Sequence, residues 1–287
     1  MIVDFHTHVV PPRMKASRER YLARDRTMAA LLANPAALLA TAEELIAAMD
    51  EAQVDVAVTL GFGWTDLEVA REANDYLLDA AARYPKRLVP FCSVNPAWGE
   101  TALREVERCA RQGARGVGEL HPDSQELDLG SWDVMGPLVE LLRGQRLILL
   151  THASEPVGHD YPGKGKTTPA VLLELVRRAP SIPIVCAHWG GGLPFYALMP
   201  EVQAALRSTY FDTAASPLLY RPEVVPTVVR LVGASAILLG SDYPLLRPER
   251  QLRQLRAQPL AAQEREAVLG GNAARLLGLS EGPKGDG

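Results

Sequence analysis

Six histidines stand among the 287 residues, and most of them fall where an apolar run ends. His6 and His8, in Asp4-Phe5-His6-Thr7-His8, follow Ile2-Val3. Two residues apart in an extended strand, they share one face, because strand side chains alternate. A helix would set them nearly half a turn apart. Imidazole is the commonest protein ligand for zinc and related metals, so the pair could be two prongs of a metal site. It could equally be two ordinary strand histidines, and the remaining polar residues decide. His121 lies just past residues 115–120, His152 ends 147–151, His188 ends 182–187, and His159 sits in a loop. Glu119 ends the fourth apolar segment in Gly116-Val117-Gly118-Glu119-Leu120-His121-Pro122, and Asp242 ends the last in Gly240-Ser241-Asp242-Tyr243-Pro244. Any one of these could be a satisfied polar residue at a loop entrance. Seven at corresponding ends of successive units point instead to a shared cation, without which packed imidazoles and carboxylates would have nothing to offset their desolvation.

The elements that must position them recur regularly. Strands are expected at 54–60, 87–94, 115–120, 147–151, 182–187, 209–213 and 236–240, after a first strand within residues 1–8. Helices are expected between them, at 41–52, from 65 to about 84, at 99–112, 132–143, from 168, from 194, at 223–231, and from 248 onward. Thr41 with Glu44 and Thr65 with Glu68 read as capping boxes, and Thr168-Pro169 as a cap followed by a first-turn proline. Leu147-Ile148-Leu149-Leu150 and Ile237-Leu238-Leu239 are continuous apolar runs, as in a parallel sheet buried on both faces. Eight strands, each followed by a helix, predict a closed α/β (β/α)8 TIM barrel in one domain over residues 1–279. An open doubly wound sheet would want a Gly-rich phosphate turn after its first strand, and none is there. Barrel chemistry gathers at the C-terminal ends of the strands, where the seven polar residues fall. Residues 9–40, with Pro11-Pro12, a basic stretch and Asn34-Pro35, read as a loop insertion carrying one or two short helices over one end. Residues 280–287 read as a disordered tail.

A net charge of −4 gives no reason to expect nucleic acid or an anionic membrane as partner. No run approaches the roughly 20 apolar residues of a membrane helix. Cys92, Cys109 and Cys186 are far apart and odd in number, so they read as buried thiols of a cytoplasmic protein.

The ordered set resembles the amidohydrolase superfamily of metal-dependent barrels. It is carried by His6-x-His8, His152, His188 and Asp242 on the first, fifth, sixth and eighth strands. Ala187-His188-Trp189-Gly190-Gly191-Gly192, Leu239-Gly240-Ser241-Asp242-Tyr243-Pro244 and Asn272-Ala273-Ala274-Arg275-Leu276-Leu277-Gly278-Leu279 resemble its amidohydrolase-2 branch. That branch includes aminocarboxymuconate-semialdehyde decarboxylase, resorcylate-type decarboxylases and pyrone-dicarboxylate lactonases. The resemblance implies that His6, His8, His152 and Asp242 bind one divalent ion, zinc (Zn2+) being the expected metal. It also implies that Asp242 takes a proton from activated water, while His188 orients water or protonates substrate. In phosphotriesterase-like relatives a strand-four acid bridges two metals, with His152 and His188 serving the second. Glu119 would then bridge two ions here; otherwise it pairs with Arg115 or supports a histidine.

Around such a centre, Arg13, Tyr161 and Lys164 fit a carboxylate-bearing small-molecule substrate, and Trp189 and Tyr243 a planar one. His121 is expected in the substrate pocket or behind a ligand, and His159 only in its loop. The leading expectation is hydrolysis of a lactone, ester or amide. The alternative is non-oxidative decarboxylation of an aromatic or unsaturated acid. A non-catalytic metal- or ligand-binding barrel is the third reading. A homodimer is the expected assembly.

Overall fold

Eight parallel strands pair in the order in which they occur along the chain. They are β1 (Val3–His8), β2 (Val56–Leu60), β3 (Leu88–Cys92), β4 (Gly116–Leu120), β5 (Ile148–Thr151), β6 (Ile184–Cys186), β7 (Thr209–Asp212) and β8 (Ile237–Leu238). The computed structural model describes residues 1–279, and the tail 280–287 lies outside the described residues. First and last strands meet through Phe5 N donating to Leu239 O and His8 N to Tyr243 O, each at 2.7 Å. The expected TIM-like barrel is therefore the observed fold.

Helices α1 (Ala42–Ala52), α2 (Leu67–Arg83), α3 (Glu100–Arg111), α4 (Trp132–Gln145), α5 (Pro169–Arg178), α6 (Pro200–Ala205), α7 (Val224–Val232) and α8 (Pro248–Arg256) follow the strands. The first box forms as expected: Thr41 N donates to Glu44 Oε2 at 2.8 Å and Glu44 N to Thr41 Oγ1 at 3.4 Å. The second does not. Asp66 caps α2, accepting from Glu68 N and Val69 N, because a carboxylate one residue nearer the helix takes the same donors. The Thr65 hydroxyl turns instead to Asp25 at 3.1 Å. Pro194 opens a 3₁₀ segment, Leu193–Leu198, and the α-helical piece begins only at Pro200. None of the helices among the described residues is long and apolar enough to cross a membrane.

Val3, Phe5, Val58, Phe91, Leu150 and Val185 fill the barrel interior, with Phe5 and Phe91 edge to face at 5.8 Å. The insertion after β1 carries three short helices, one more than expected: Pro12–Ala16, Arg18–Leu22 and Arg26–Leu32. Asp25 fastens it. Its carboxylate accepts from Met28 N, which caps the third helix, and from Thr65 N and Asp66 N beyond β2. Met14, Tyr21, Met28 and Leu32 then pack on Phe62 and Trp64, laying the insertion over the barrel mouth.

Candidate metal centre

Two one-residue slips aim the central side chains. Val3 and Asp4 pair with Val56 and Ala57, but Thr7 and His8 pair with Thr59 and Leu60. Gly116 and Val117 pair with Ile148 and Leu149, but Leu120 pairs with Thr151. Each of β1 and β4 thus holds one extra residue, which reverses the alternation of every side chain beyond it. Val3 and Phe5 face the apolar interior, and beyond the slip His6 and His8 face inward as well. Gly116 also faces inward, where a Cβ would stand 2.4 Å from the Phe91 ring, and the slip brings Glu119 to the same side.

His6 and His8 both commit Nδ1 as a donor, to the Asp212 carboxylate at 2.8 Å and to Gly61 O at 3.0 Å. Their Nε2 lone pairs are left facing each other at 3.0 Å. Only a cation shared between them, whether proton or metal, relieves that contact. Asp242 Oδ1 stands 3.3 Å from His8 Nε2 and 3.7 Å from His6 Nε2, and Glu119 Oε2 3.6 and 3.7 Å from the same atoms. The other oxygen of Glu119, Oε1, meets His152 Nδ1 at 3.0 Å and His188 Nε2 at 3.4 Å. His152 Nε2 is buried without a partner. This donor set fits a divalent ion, and two groups have metal-ligating geometry: His6, His8 and Glu119, and Glu119, His152 and His188. Glu119 belongs to both. Its partners are imidazoles rather than Arg115.

Backbone strain holds the far side. His188 and Trp189 have φ of 54° and 58°, a left-handed conformation costing roughly 1–2 kcal/mol for a side-chain-bearing residue. Three bonds retain it: His188 N to Asp212 Oδ1 at 2.9 Å, His188 Nδ1 to Ala214 O at 3.2 Å, and Trp189 Nε1 to Ser216 Oγ at 2.9 Å.

The electrostatics show what the centre needs. Burial works to raise the carboxyl groups, yet His8, His6 and His188 hold Asp242 down at about 2. Against the same burial, His6, His152 and His188 hold Glu119 well below the carboxylate range. Burial opposes charge on the imidazoles too. It is outweighed by Asp212 and Glu119 at His6, which lies well above its usual value, and by Glu119 and Asp242 at His188, raised to about 9. Protons on imidazoles thus supply the positive charge that the carboxylates demand, and a metal ion would displace them.

The cavity above the centre is about 440 Å3 and is lined by His8, Glu119, His121, His152, His188 and Asp242 at its floor. His121 stacks on His152, centroids 4.4 Å apart, and neither of its ring nitrogens has a hydrogen-bond partner. Burial and neighbouring His152 push its pKa down to about 3. Tyr161 reaches the wall, its hydroxyl donating to Glu155 at 2.8 Å. Four expected substrate contacts do not reach it. Arg13 is exposed on the first short helix. Lys164 donates to the carbonyls of Val157, Gly158 and His159, tying its own loop. Trp189 is a fully buried core residue. Tyr243 packs at the margin of the core behind the wall, which Pro244 and Leu245 form in its place. His159, expected only in a loop, does line the cavity. The sequence reading also missed Asp212, fully buried behind His6 and His188, although its place at the end of β7 follows the rule that found the others. It missed Asp4 too, whose carboxyl accepts from Ser241 N at 2.9 Å and is pushed by burial up to about 6.

The chain is similar to known proteins in sequence and in fold. The amidohydrolase family profile matches residues 3–279. The chain is 24% identical over 244 residues to 2-amino-3-carboxymuconate-6-semialdehyde decarboxylase of Dictyostelium discoideum, covering 74% of this chain and 67% of that one. It is 22% identical over 254 residues to gamma-resorcylate decarboxylase of Polaromonas sp. strain JS666, covering 74% and 77%. Its fold is similar to that of 5-carboxyvanillate decarboxylase of Novosphingobium aromaticivorans, solved with manganese and 4-hydroxy-3-methoxy-5-nitrobenzoic acid. The TM-score is 0.82 at 20% identity, covering 97% and 96% of the two chains. The chain belongs to the amidohydrolase family and is a metal-dependent enzyme of it.

Proposed function

We propose that the protein is a non-oxidative decarboxylase of an aromatic acid. This reverses the order of the two expectations, in which hydrolysis led. The observation that carries it is a floor of metal-ligating residues beneath an apolar, lidded cavity, in a chain whose relatives include decarboxylases. His6, His8, Glu119 and Asp242 would hold the ion, with His152 across Glu119. A divalent ion bound there supplies an anchor for substrate oxygens and draws electron density from them. Manganese, present in the 5-carboxyvanillate decarboxylase structure, suits this nitrogen and carboxylate set as well as the expected zinc.

The chain supplies the rest. Phe62 lines the cavity with its ring stacked on His8 at 4.2 Å and 13°. The bond from ring carbon to carboxylate breaks and CO2 departs. The electron pair left on carbon takes one proton, so that carboxylate plus proton gives CO2 plus a C–H bond. His188 lines the cavity where that proton must be delivered, and Ala214 O fixes its ring by the other nitrogen. Apolar walls exclude water and favour conversion of an anionic carboxylate into neutral CO2.

One observation favours hydrolysis as a second reading: Glu119 reaches both histidine pairs, as an acid shared by two ions would. Metal-replete protein offered hydroxylated benzoic acids beside a panel of lactones and esters separates the two. Metal-dependent CO2 release is expected. Cleavage of lactones or esters with no CO2 from any acid would put hydrolysis first.

A further inference from the structure

The charged groups of the cavity lie at its floor, and higher up Asn34, His159 and Tyr161 are the polar residues in a mainly apolar lining. Leu31, Leu38, Pro162, Leu218 and Leu245 form its apolar walls, and no lysine or arginine among the described residues lines it. The two cations expected to meet a substrate carboxylate are elsewhere, Arg13 on the outer surface and Lys164 bonded to carbonyls of its own loop. At the rim Leu38, Leu218 and Leu245 are 59%, 43% and 54% exposed, grouped around one opening rather than scattered, as at a ligand-binding groove. A second carboxylate in this upper space would meet no lysine or arginine, so most of its desolvation would go uncompensated. At the floor His121, 2% exposed, has two ring nitrogens without partners, where a buried polar group needs one.

We propose that the cavity selects an aromatic monoacid carrying an apolar substituent, rejects acids with a second anionic group, and uses His121 to hydrogen-bond a neutral hydroxyl or carbonyl oxygen of the ring. The nature of the reacting group rests on the decarboxylase reading. The apolar subsite does not, because it is tested by binding.

The probes are nitrophenols, in which an unreactive nitro group stands for the departing carboxylate, bound to manganese-loaded protein and followed by calorimetry. Affinity should rise about fourfold for each methylene added to the ring substituent, up to a butyl group. Replacing that substituent by a carboxylate should weaken binding on the order of a hundredfold. Leu218→Arg, at an exposed rim position that tolerates it, should recover at least tenfold for the carboxylated probe and lose affinity for the butyl one. His121→Phe should weaken probes carrying a second ring hydroxyl about tenfold and leave probes without that second hydroxyl unchanged. A carboxylated probe that binds wild-type protein as well as the butyl probe overturns the apolar subsite, and equal loss for both probe types in His121→Phe overturns the hydrogen-bonding role. Apolar preference in a protein that releases no CO2 would count against decarboxylation and leave the subsite standing.

Discussion

Floor and roof of the cavity are built by opposite means. The floor is a set of charged and imidazole side chains on strand ends, each oriented by a second bond: His6 by Asp212, His8 by Gly61, His188 by Ala214. The roof is mainly apolar side chains on the insertion and loops, and Asp25 fastens the insertion as a body rather than side chain by side chain. The floor tolerates no displacement, since a metal needs its donors within tenths of an ångström. The roof needs only shape and the exclusion of water.

That contrast ranks the expected effects of substitution. His8→Ala should remove tight metal binding and lower turnover by roughly three orders of magnitude, the rate equivalent of several kcal/mol of lost charge stabilisation. Metal analysis beside initial rates checks it, and normal metal content would remove His8 from the ligand set. Asp212→Asn keeps the shape but weakens the hold on His6, and should cost about 10- to 100-fold in metal affinity, read by chelator competition. On the roof, Asp25→Ala should lower folding stability by about 2 kcal/mol, for a lost cap and two orphaned backbone donors, measured by denaturant unfolding. Its effect should fall on KM more than on metal content. If instead it emptied the metal site, floor and roof would not be separable.

The same contrast explains what could be read from the chain alone. Strand order and barrel closure were legible because apolar runs, caps and prolines recur in step, and His6, His8, His152, His188 and Asp242 because such residues at strand ends are conspicuous. The slips in β1 and β4 were not, since an extra residue leaves no compositional trace beyond Gly118 beside Glu119. Roof leucines look like any core leucine. Trp189 misled for the converse reason: an aromatic after a strand suggests a pocket, but left-handed backbone turns this one into the core beside Ser216. Lys164 misled because charge says nothing about which acceptors a loop brings to it.

A smaller effect concerns protons at the floor. Glu119 and Asp242 are ionised far below neutral pH, so the protons that a metal must displace sit on the ligand imidazoles, His6 among them, held well above its usual value by Asp212 and Glu119. Metal binding at pH 7 should therefore release protons, and affinity should fall as pH is lowered; calorimetry in buffers of different ionisation enthalpy measures the number. Affinity independent of pH between 6 and 8 would mean the imidazoles are already neutral. Smallest of all, Lys164→Ala should change metal affinity by less than about twofold, because its bonds stay within its own loop and none reaches the floor.

The most direct test of decarboxylation on this floor is to incubate manganese-loaded protein with a hydroxylated benzoic acid in D2O and follow it by NMR. One equivalent of CO2 should appear together with a phenol bearing a single deuteron at the carbon that lost its carboxylate. Fully metal-loaded protein that leaves a range of hydroxylated and alkylated benzoic acids unchanged would contradict it.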